Sequence, residues 1–411
     1  MHLNAPPDGS RKWNAATLFV LLLLFSAAFK DDTDAIANNQ NWSGLAIPNW
    51  LNDIKSNSEV LLIIAGIIGL SISLRKISFR FRIGYPALSL LTLSFFSVIR
   101  TIQDHPDSTL KLSTSFLLIL FIFYVCGRIS TQSGVESLKK VVINAITHFS
   151  IIFILINGAI YGLGYGYVPQ NPRYFGSSIH PNFVGTQLAI CNIFITSKII
   201  DLFNKKQVGV LLVIILLLGL WLTLASGSRT ALAILVTGIS TLIITSNKFK
   251  LKWWMTAIII LLIPLALYIA NKSELEIAFY RGENGSDTRT AAWLSMIQEI
   301  SEHPWLGYGY FSGQSENSYL RAMNAFGIPY GALLIGIVFF CIGKLLIQSL
   351  RDSRLPSSPQ HLLLATFIAI SIGGIFEGYL VDAWSLQKLI FVLVLAMLHK
   401  GSRRGNQNPA F

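Results

Sequence analysis

Long uninterrupted runs of apolar residues constrain the fold of this chain more than any other feature of its sequence. A helix needs roughly 20 apolar residues to cross about 30 Å of hydrocarbon, and runs of this kind recur along the chain. Only 13% of the residues are charged, whereas soluble domains carry roughly 25%. A soluble fold is therefore excluded, and we expect an all-α polytopic membrane protein.

The runs predict about twelve transmembrane helices. They lie at 13–29, 59–74, 83–99, 112–127, 141–160, 183–200, 208–225, 230–246, 254–270, 328–349, 361–380 and 385–399. Arg11 and Lys12 precede the first run as they would in a signal peptide, but no small-x-small cleavage site leads into a soluble domain, so we expect a retained helix. No Pro-rich linker or clear internal repeat divides the chain, and we interpret residues 1–411 as one multispanning membrane domain.

The 32 Lys and Arg residues predict how the chain is oriented. Cytoplasmic loops carry an excess of positive charge, and with the N-terminus inside, each predicted inner segment contains at least two basic residues. The first predicted outer loop is acidic instead. Both termini are therefore predicted to be cytoplasmic. Because this topology accounts for the net charge of +12, we expect no nucleic-acid partner.

Residues 271–327 form a predicted outer loop that is far longer than a turn requires, and loops of such length are usually functional or disordered. Ser286-Asp287 has the composition of a helix N-cap. Apolar residues then recur at helical spacing, at Trp293, Met296, Ile297 and Ile300. The pattern ends at Pro304 and predicts an amphipathic helix on the outer membrane surface. A helix that only packs over the bundle is the alternative.

Arginines stand out on the predicted outer side. Arg229 lies in the tight connection between spans seven and eight, where a charge close to hydrocarbon is costly unless it snorkels or is paired. It is interpreted either as a functional residue or as an interfacial anchor. Arg289 lies in the first turn of the predicted amphipathic helix, and Arg281 precedes it in the same loop. Because helix N-termini and guanidinium groups both favour anions, we expect phosphate binding there.

Two further polar groups lie in predicted outer loops. Arg173, His180 and Asn182 precede span six. His180 is either a base or ligand, or a polar residue at the start of a helix. Glu316 and Asn317 precede span ten, and Glu316 could accept a proton from a sugar hydroxyl. It could equally be a solvated loop carboxylate or the ion-pair partner of a nearby arginine.

Taken in order, these motifs resemble those of the O-antigen ligase and polymerase superfamily of bacterial inner-membrane glycan enzymes. The resemblance covers roughly residues 170–330. It rests on Arg173-x-x-Gly176 with His180-Pro181-Asn182, on Ser228-Arg229-Thr230-Ala231-Leu232, on Thr288-Arg289-x-x-x-Trp293, on His303-Pro304-Trp305-Leu306-Gly307-Tyr308-Gly309, on Asn317-Ser318-Tyr319-Leu320 and on Gly327. The predicted span layout and the long outer loop are also similar to that superfamily.

The resemblance implies an enzyme that acts on glycans carried by undecaprenyl diphosphate, at the periplasmic face of the inner membrane. Arg229 and Arg289 would hold the donor diphosphate and stabilise it as the leaving group, and Glu316 would be the base for the acceptor hydroxyl. The expected substrate-binding residues are Arg173, His180, Asn182, Arg281 and Asn317. No metal ion or other cofactor is expected, because two guanidinium groups can replace a divalent cation at a diphosphate.

One position departs from the pattern of the superfamily. Its ligases typically carry a His immediately before the Asn that corresponds to Asn317, and this chain has Glu316 there. The difference favours a polymerase of O-antigen or exopolysaccharide repeat units, with an O-antigen ligase that transfers the glycan to lipid A–core as the alternative. Membrane lipid, a flippase and a chain-length regulator are the expected partners.

Two other functions are weighed against this interpretation. A transporter or flippase often has twelve spans, but transporters tend to have repeated halves and charges near the middle of the membrane. Here the charges cluster at the predicted outer rim. A non-catalytic subunit of a glycan export complex is the remaining alternative, and it should tolerate loss of the two arginines.

Overall fold

The computed structural model describes residues 9–30, 45–74, 84–102, 106–168, 173–178, 180–205, 207, 209–245, 288–310, 317–351, 358–381 and 384–398. The regular secondary structure of these ranges is helical. The helices are α1 (Gly9–Ala28), α2 (Asn49–Ser56), α3 (Ser58–Leu74), α4 (Tyr85–Ile102), α5 (Pro106–Ser133), α6 (Val135–Gly162), α7 (Pro181–Asn204), α8 (Val210–Ala225), α9 (Arg229–Thr245), α10 (Thr288–Glu302), α11 (Ser318–Phe326), α12 (Ile328–Arg351), α13 (Pro359–Phe376) and α14 (Leu386–Met397).

The helices agree with the predicted spans. Within the described ranges, 6 helices are long and apolar enough to cross a membrane, and α2 with α3, which meet at 48°, would make a further span. Shorter apolar helices coincide with four more predicted spans, at Ala15–Ala28, Val210–Ala225, Arg229–Thr245 and Leu386–Met397. The all-α polytopic membrane fold is thus confirmed. The predicted span 254–270 lies outside the described residues.

The run 361–380 predicts a longer helix than the one that forms. Helix α13 ends at Phe376, and Glu377 has an extended backbone with φ −137° and ψ 147°. The carbonyl oxygen of Glu377 accepts hydrogen bonds from the N–H of Ser318 at 3.1 Å and from its hydroxyl at 2.6 Å. Ser318 on α11 thus satisfies the carbonyl oxygen of Glu377, which has no partner within α13. The helix therefore ends four residues before the apolar run does.

Helix α9 packs between α7 and α13. Gly238 marks the closest approach, because a Cβ atom at this position would collide with the side chain of Ile193 on α7 and lie 3.3 Å from the Cβ of Ala369 on α13. On the other side of α7, Asn192 Nδ2 donates a hydrogen bond of 3.1 Å to Thr223 Oγ1 on α8. Small residues and interhelical polar contacts are typical of helix packing in membranes.

The order of the helices brings the polar motifs to one end of the bundle. Helices α7, α9 and α11 begin there, and α8 and α13 end there; we call this the site end. At the opposite end, near the starts of α6 and α13, Lys139 Nζ contacts Glu136 Oε1 at 2.8 Å and Gln360 Oε1 at 3.0 Å. The amphipathic helix that the sequence predicts is α10, and it lies at the site end.

We predict that Gly238→Leu destabilises the protein, because the added side chain cannot be accommodated between α7 and α9. Overpacking of this kind costs about 1–3 kcal/mol. The matched control is Gly336→Leu on α12, since a Cβ atom there meets nothing within 4 Å. Thermal unfolding in detergent should give a lower midpoint for the first variant only, and equal midpoints would contradict the packing.

Candidate functional site

One carboxylate oxygen at the site end collects donors from three helices. Glu377 Oε1 accepts hydrogen bonds from Arg289 Nη2 on α10 at 3.0 Å, from Asn182 Nδ2 on α7 at 2.9 Å and from Thr230 Oγ1 on α9 at 3.1 Å. The Arg289 contact is also an ion pair, in which the Glu377 side chain is 9% exposed and the Arg289 side chain 27%. Glu377 thus joins the starts of α7, α9 and α10 to the end of α13.

Asn182 reaches Glu377 because of the way α7 begins. Pro181 occupies the first turn, where a missing N–H costs nothing, and His180 is the N-cap residue. His180 Nδ1 accepts a hydrogen bond of 3.2 Å from the backbone N–H of Asn182. His180 therefore acts as the polar residue at a helix start, one of the two interpretations of the sequence.

The side chain of Asn182 also binds Arg173. Arg173 Nη2 donates to Asn182 Oδ1 at 2.6 Å, and Arg173 Nε donates to the carbonyl oxygen of Ser226 at 2.9 Å. Because the amide of Asn182 accepts from Arg173 and donates to Glu377, its orientation is fixed on both sides. Arg173 is thereby tied to the same cluster as Arg289.

The turn between α8 and α9 places Arg229 beside this cluster. Gly227 has φ +59°, a conformation that favours glycine, and Ser228 Oγ accepts a hydrogen bond of 3.2 Å from the N–H of Ala231 in the first turn of α9. Arg229 is exposed, while the adjacent Thr230 is buried against Glu377. The exposed guanidinium therefore lies at the rim of the site.

Helix α10 carries Arg289 in its first turn. The guanidinium lies between Glu377 and the ring of Phe376, with its Cζ atom 5.9 Å from the ring centroid. Met296 and Ile300 of the predicted apolar face are buried against the protein, whereas Ile297 is 51% exposed. The contact of this face with the membrane surface stays a prediction. The predicted N-cap, Ser286-Asp287, lies outside the described residues.

The far end of α10 is held by the elements that follow it. Asn324 of α11 donates a hydrogen bond to Glu299. Arg100 at the end of α4 donates to the carbonyl oxygens of Leu306 and Gly307, both at 3.2 Å. Tyr308 Oη donates to Glu302 Oε2 at 2.5 Å, and this bond holds the pKa of Glu302 below its usual value. These contacts fix the turn after α10 to the bundle.

Asn317 caps α11 with its side chain. Its Oδ1 accepts from the N–H groups of Tyr319 and Leu320 at 3.0 and 3.1 Å, and its backbone has φ +63°. The next residue, Ser318, binds the carbonyl oxygen of Glu377. Burial raises the pKa of Tyr319 to about 12, so its hydroxyl stays a neutral donor, bonded to Ser371 O at 2.8 Å.

Several of the predicted site residues thus lie together around Glu377, and others have no described contact with this cluster. Arg173, Asn182 and Arg289 belong to one hydrogen-bonded cluster around Glu377, and Arg229 flanks it. Arg281 and Glu316 lie outside the described residues. Glu377 was not among the predicted site residues, although a carboxylate within an apolar run is itself a signal of function.

The electrostatics of the cluster favour an anion. Arg289 contacts the carboxylate of Glu377, Arg173 is joined to it through Asn182, and Arg229 precedes Thr230, which also binds it. The starts of α7, α9, α10 and α11 also lie at this end, and helix N-termini carry partial positive charge. A diphosphate suits such a site, since guanidinium groups bind phosphate oxygens bidentately. Among the described residues, no group of three His, Cys, Asp or Glu side chains could hold a metal ion; metal independence stays a prediction.

The capping role of Asn317 predicts different results for two substitutions. Asn317→Ala loses the cap, which costs about 1 kcal/mol, and places Ala in a left-handed conformation that costs about 1–2 kcal/mol. Asn317→Asp keeps an acceptor oxygen and tolerates that conformation. The thermal midpoint should therefore fall for Asn317→Ala and stay close to wild type for Asn317→Asp. An unchanged midpoint for Asn317→Ala would refute the cap.

Comparison with known proteins agrees with the geometry. A family model described as O-Antigen ligase matches residues 211–334, a segment that includes Arg229, Arg289 and Asn317. The chain is 28% identical over 209 residues to the O-antigen ligase of Pseudomonas aeruginosa, an alignment that covers 46% of this chain and 49% of that protein. The chain thus spans about half the length of this curated relative. The resemblance inferred from the motifs is confirmed, since both comparisons find this chain similar to O-antigen ligases.

Proposed function

We propose that this protein transfers a glycan from undecaprenyl diphosphate to an acceptor hydroxyl at the site end of the bundle, as an O-antigen ligase that uses lipid A–core as acceptor. The observation that carries the proposal is the cluster of Arg289, Asn182 and Arg173 around Glu377, with Arg229 at its rim. This cluster combines an excess of guanidinium groups with several helix N-termini, as binding of a diphosphate requires.

The chemistry follows from the charge that develops during transfer. The acceptor oxygen forms a bond to the anomeric carbon of the donor sugar, while the bond from that carbon to the diphosphate oxygen breaks. The diphosphate leaves with the electron pair, and the acceptor proton passes to a base, for which we propose Glu316. Arg229 and Arg289 stabilise the departing diphosphate, because preorganised donors lower the barrier most where negative charge accumulates.

Ligase activity is preferred over polymerase activity because of the comparisons. Both the family model and the curated relative carry the description O-antigen ligase, and they favour the alternative of the sequence analysis over its first interpretation. The polymerase remains a second candidate on one observation, Glu316 in the position where ligases carry a His. The comparisons give no support to a transporter.

The proposed location is the inner membrane, with the site end facing the periplasm and both termini in the cytoplasm. The support is the charge at the opposite end of the bundle, where Lys139, Lys198, Lys205, Lys344 and Arg351 lie. Positive residues favour the cytoplasmic side. A flippase that delivers the donor and, for a polymerase, a chain-length regulator are the proposed protein partners.

We predict that Arg229→Lys and Arg289→Lys each lower glycan transfer by about two to three orders of magnitude. An ammonium group keeps the charge but cannot reproduce the planar fork of a guanidinium. Transfer is measured in membranes with a lipid-linked donor, at matched protein levels. The control is Arg351→Lys, at the opposite end of the bundle, which should retain wild-type transfer. Near-normal transfer by both site variants would reject the proposed function.

A strain without this protein should show which reaction is lost. For a ligase, long chains should accumulate on undecaprenyl diphosphate while lipid A–core stays bare, because the chains are made but not transferred. For a polymerase, single repeat units should remain on the lipid carrier and long chains should be missing. Electrophoresis of lipid-linked and core-linked glycans separates these results, and the second one would reject the ligase assignment.

A further inference from the structure

We infer that Glu377 is a positioning residue that orients Arg289 directly and Arg173 through Asn182 toward the diphosphate. This inference rests on the proposed function and assigns a role to a residue that lies outside the segment 211–334 matched by the family model. Its basis is the convergence of three donors, from α7, α9 and α10, on one oxygen of a nearly buried carboxylate.

Glu377 Oε1 is already engaged as a hydrogen-bond acceptor. A carboxylate oxygen offers two lone pairs, and Oε1 already accepts from Arg289, Asn182 and Thr230. An acceptor hydroxyl would have to displace one of these donors to deliver its proton to Oε1. The occupancy of Oε1 therefore favours contacts that orient its partners over direct proton transfer to that atom.

Arg289 is bound to Glu377 through one of its three guanidinium nitrogens. Both of its polar contacts with described residues, to Glu377 and to Thr230, use Nη2, and neither uses Nε or Nη1. The ring of Phe376 lies against the same guanidinium. Within the described part of the chain Arg289 is thus held at Nη2, and its other N–H groups are the ones that we propose for a phosphate. Holding a long side chain in advance removes the entropy cost of ordering it when the substrate binds.

Arg173 is linked to Glu377 through the side-chain amide of Asn182. Its contact with Asn182 is short, at 2.6 Å, and the same amide donates to Glu377 at 2.9 Å. A rotation of the Asn182 amide would break both bonds, so Glu377 determines which atom faces Arg173. One carboxylate thereby sets the orientation of two guanidinium groups from different segments of the chain.

The negative charge of Glu377 opposes binding of a diphosphate. A carboxylate beside a diphosphate repels it, and this repulsion weakens binding of the donor. The three arginines keep the site positive despite Glu377. We therefore expect Glu377 to raise kcat by orienting the arginines, and to weaken the affinity for the donor.

The first test compares Glu377→Gln, Glu377→Asp and the control Glu59→Gln, a change of an exposed carboxylate at the start of α3. Misplacement of a binding group by about 1 Å can cost about 100-fold, so Glu377→Gln should lower kcat by roughly 10–100-fold. The donor KM should rise much less or even fall, because repulsion is removed. Glu377→Asp keeps the charge and should recover part of kcat, and Glu59→Gln should match wild type.

The pH profile separates positioning from proton transfer. If Glu377 orients the arginines, the residual activity of Glu377→Gln should depend on pH as wild-type activity does. If Glu377 were the general base, its substitution would remove the rise of activity with pH that reports ionisation of the base. A flattened profile in Glu377→Gln would overturn the positioning role.

The second test moves the carboxylate from one residue to its neighbour. Asn182→Asp places a second carboxylate against Glu377 and should lower kcat strongly. In the double variant Asn182→Asp with Glu377→Gln, a single negative charge remains, now beside Arg173, and the side-chain amide introduced at position 377 can donate to it. The double variant should therefore be more active than Asn182→Asp alone, a non-additivity that independent structural defects would not give.

The outcomes distinguish this inference from the proposed function. Wild-type kcat in Glu377→Gln, with both arginine variants inactive, would overturn the positioning role and leave the function standing. Active arginine variants would reject the function itself. If Glu377→Gln fails to accumulate in membranes, the double variant decides: its accumulation with measurable transfer supports the inference, and a double variant as defective as Asn182→Asp overturns it.

Discussion

The ion pair between Arg289 and Glu377 is the interaction on which the site depends. Glu377 is nearly buried at the end of a transmembrane helix, where an unpaired charge is costly. Removal of one partner from a buried pair typically costs about 3–5 kcal/mol, because the other charge is left uncompensated. The ion pair therefore favours the packing of α10 against the bundle. It also places the first turn of α10 in the site.

The rest of the fold supplies the partners of this pair. Close packing of α9 between α7 and α13 places Thr230 and Asn182 beside Glu377. The early end of α13 leaves the Glu377 backbone extended, and Ser318 satisfies its carbonyl. At the far end of α10, contacts to Asn324 and from Arg100 hold the following turn. A stable bundle thus presents a preorganised cationic cluster at one end.

The helices were predictable from the sequence, because apolar runs and caps are local signals. The site was predictable only in part. Arg289 was selected from its place in a helix start, and Asn182 from its motif. Glu377 was missed because it lies inside the run 361–380 and was taken as part of a span. Its contact with Arg289 joins residues 88 positions apart, so only tertiary packing reveals it.

The most direct measurement is an electron cryomicroscopy structure of the protein in lipid nanodiscs with undecaprenyl diphosphate bound. The account predicts phosphate oxygens within about 3 Å of Nε or Nη1 of Arg289, with Nη2 still on Oε1 of Glu377 and Arg173 still on Asn182. A diphosphate bound elsewhere, or bound to an Arg289 that has left Glu377, would contradict it.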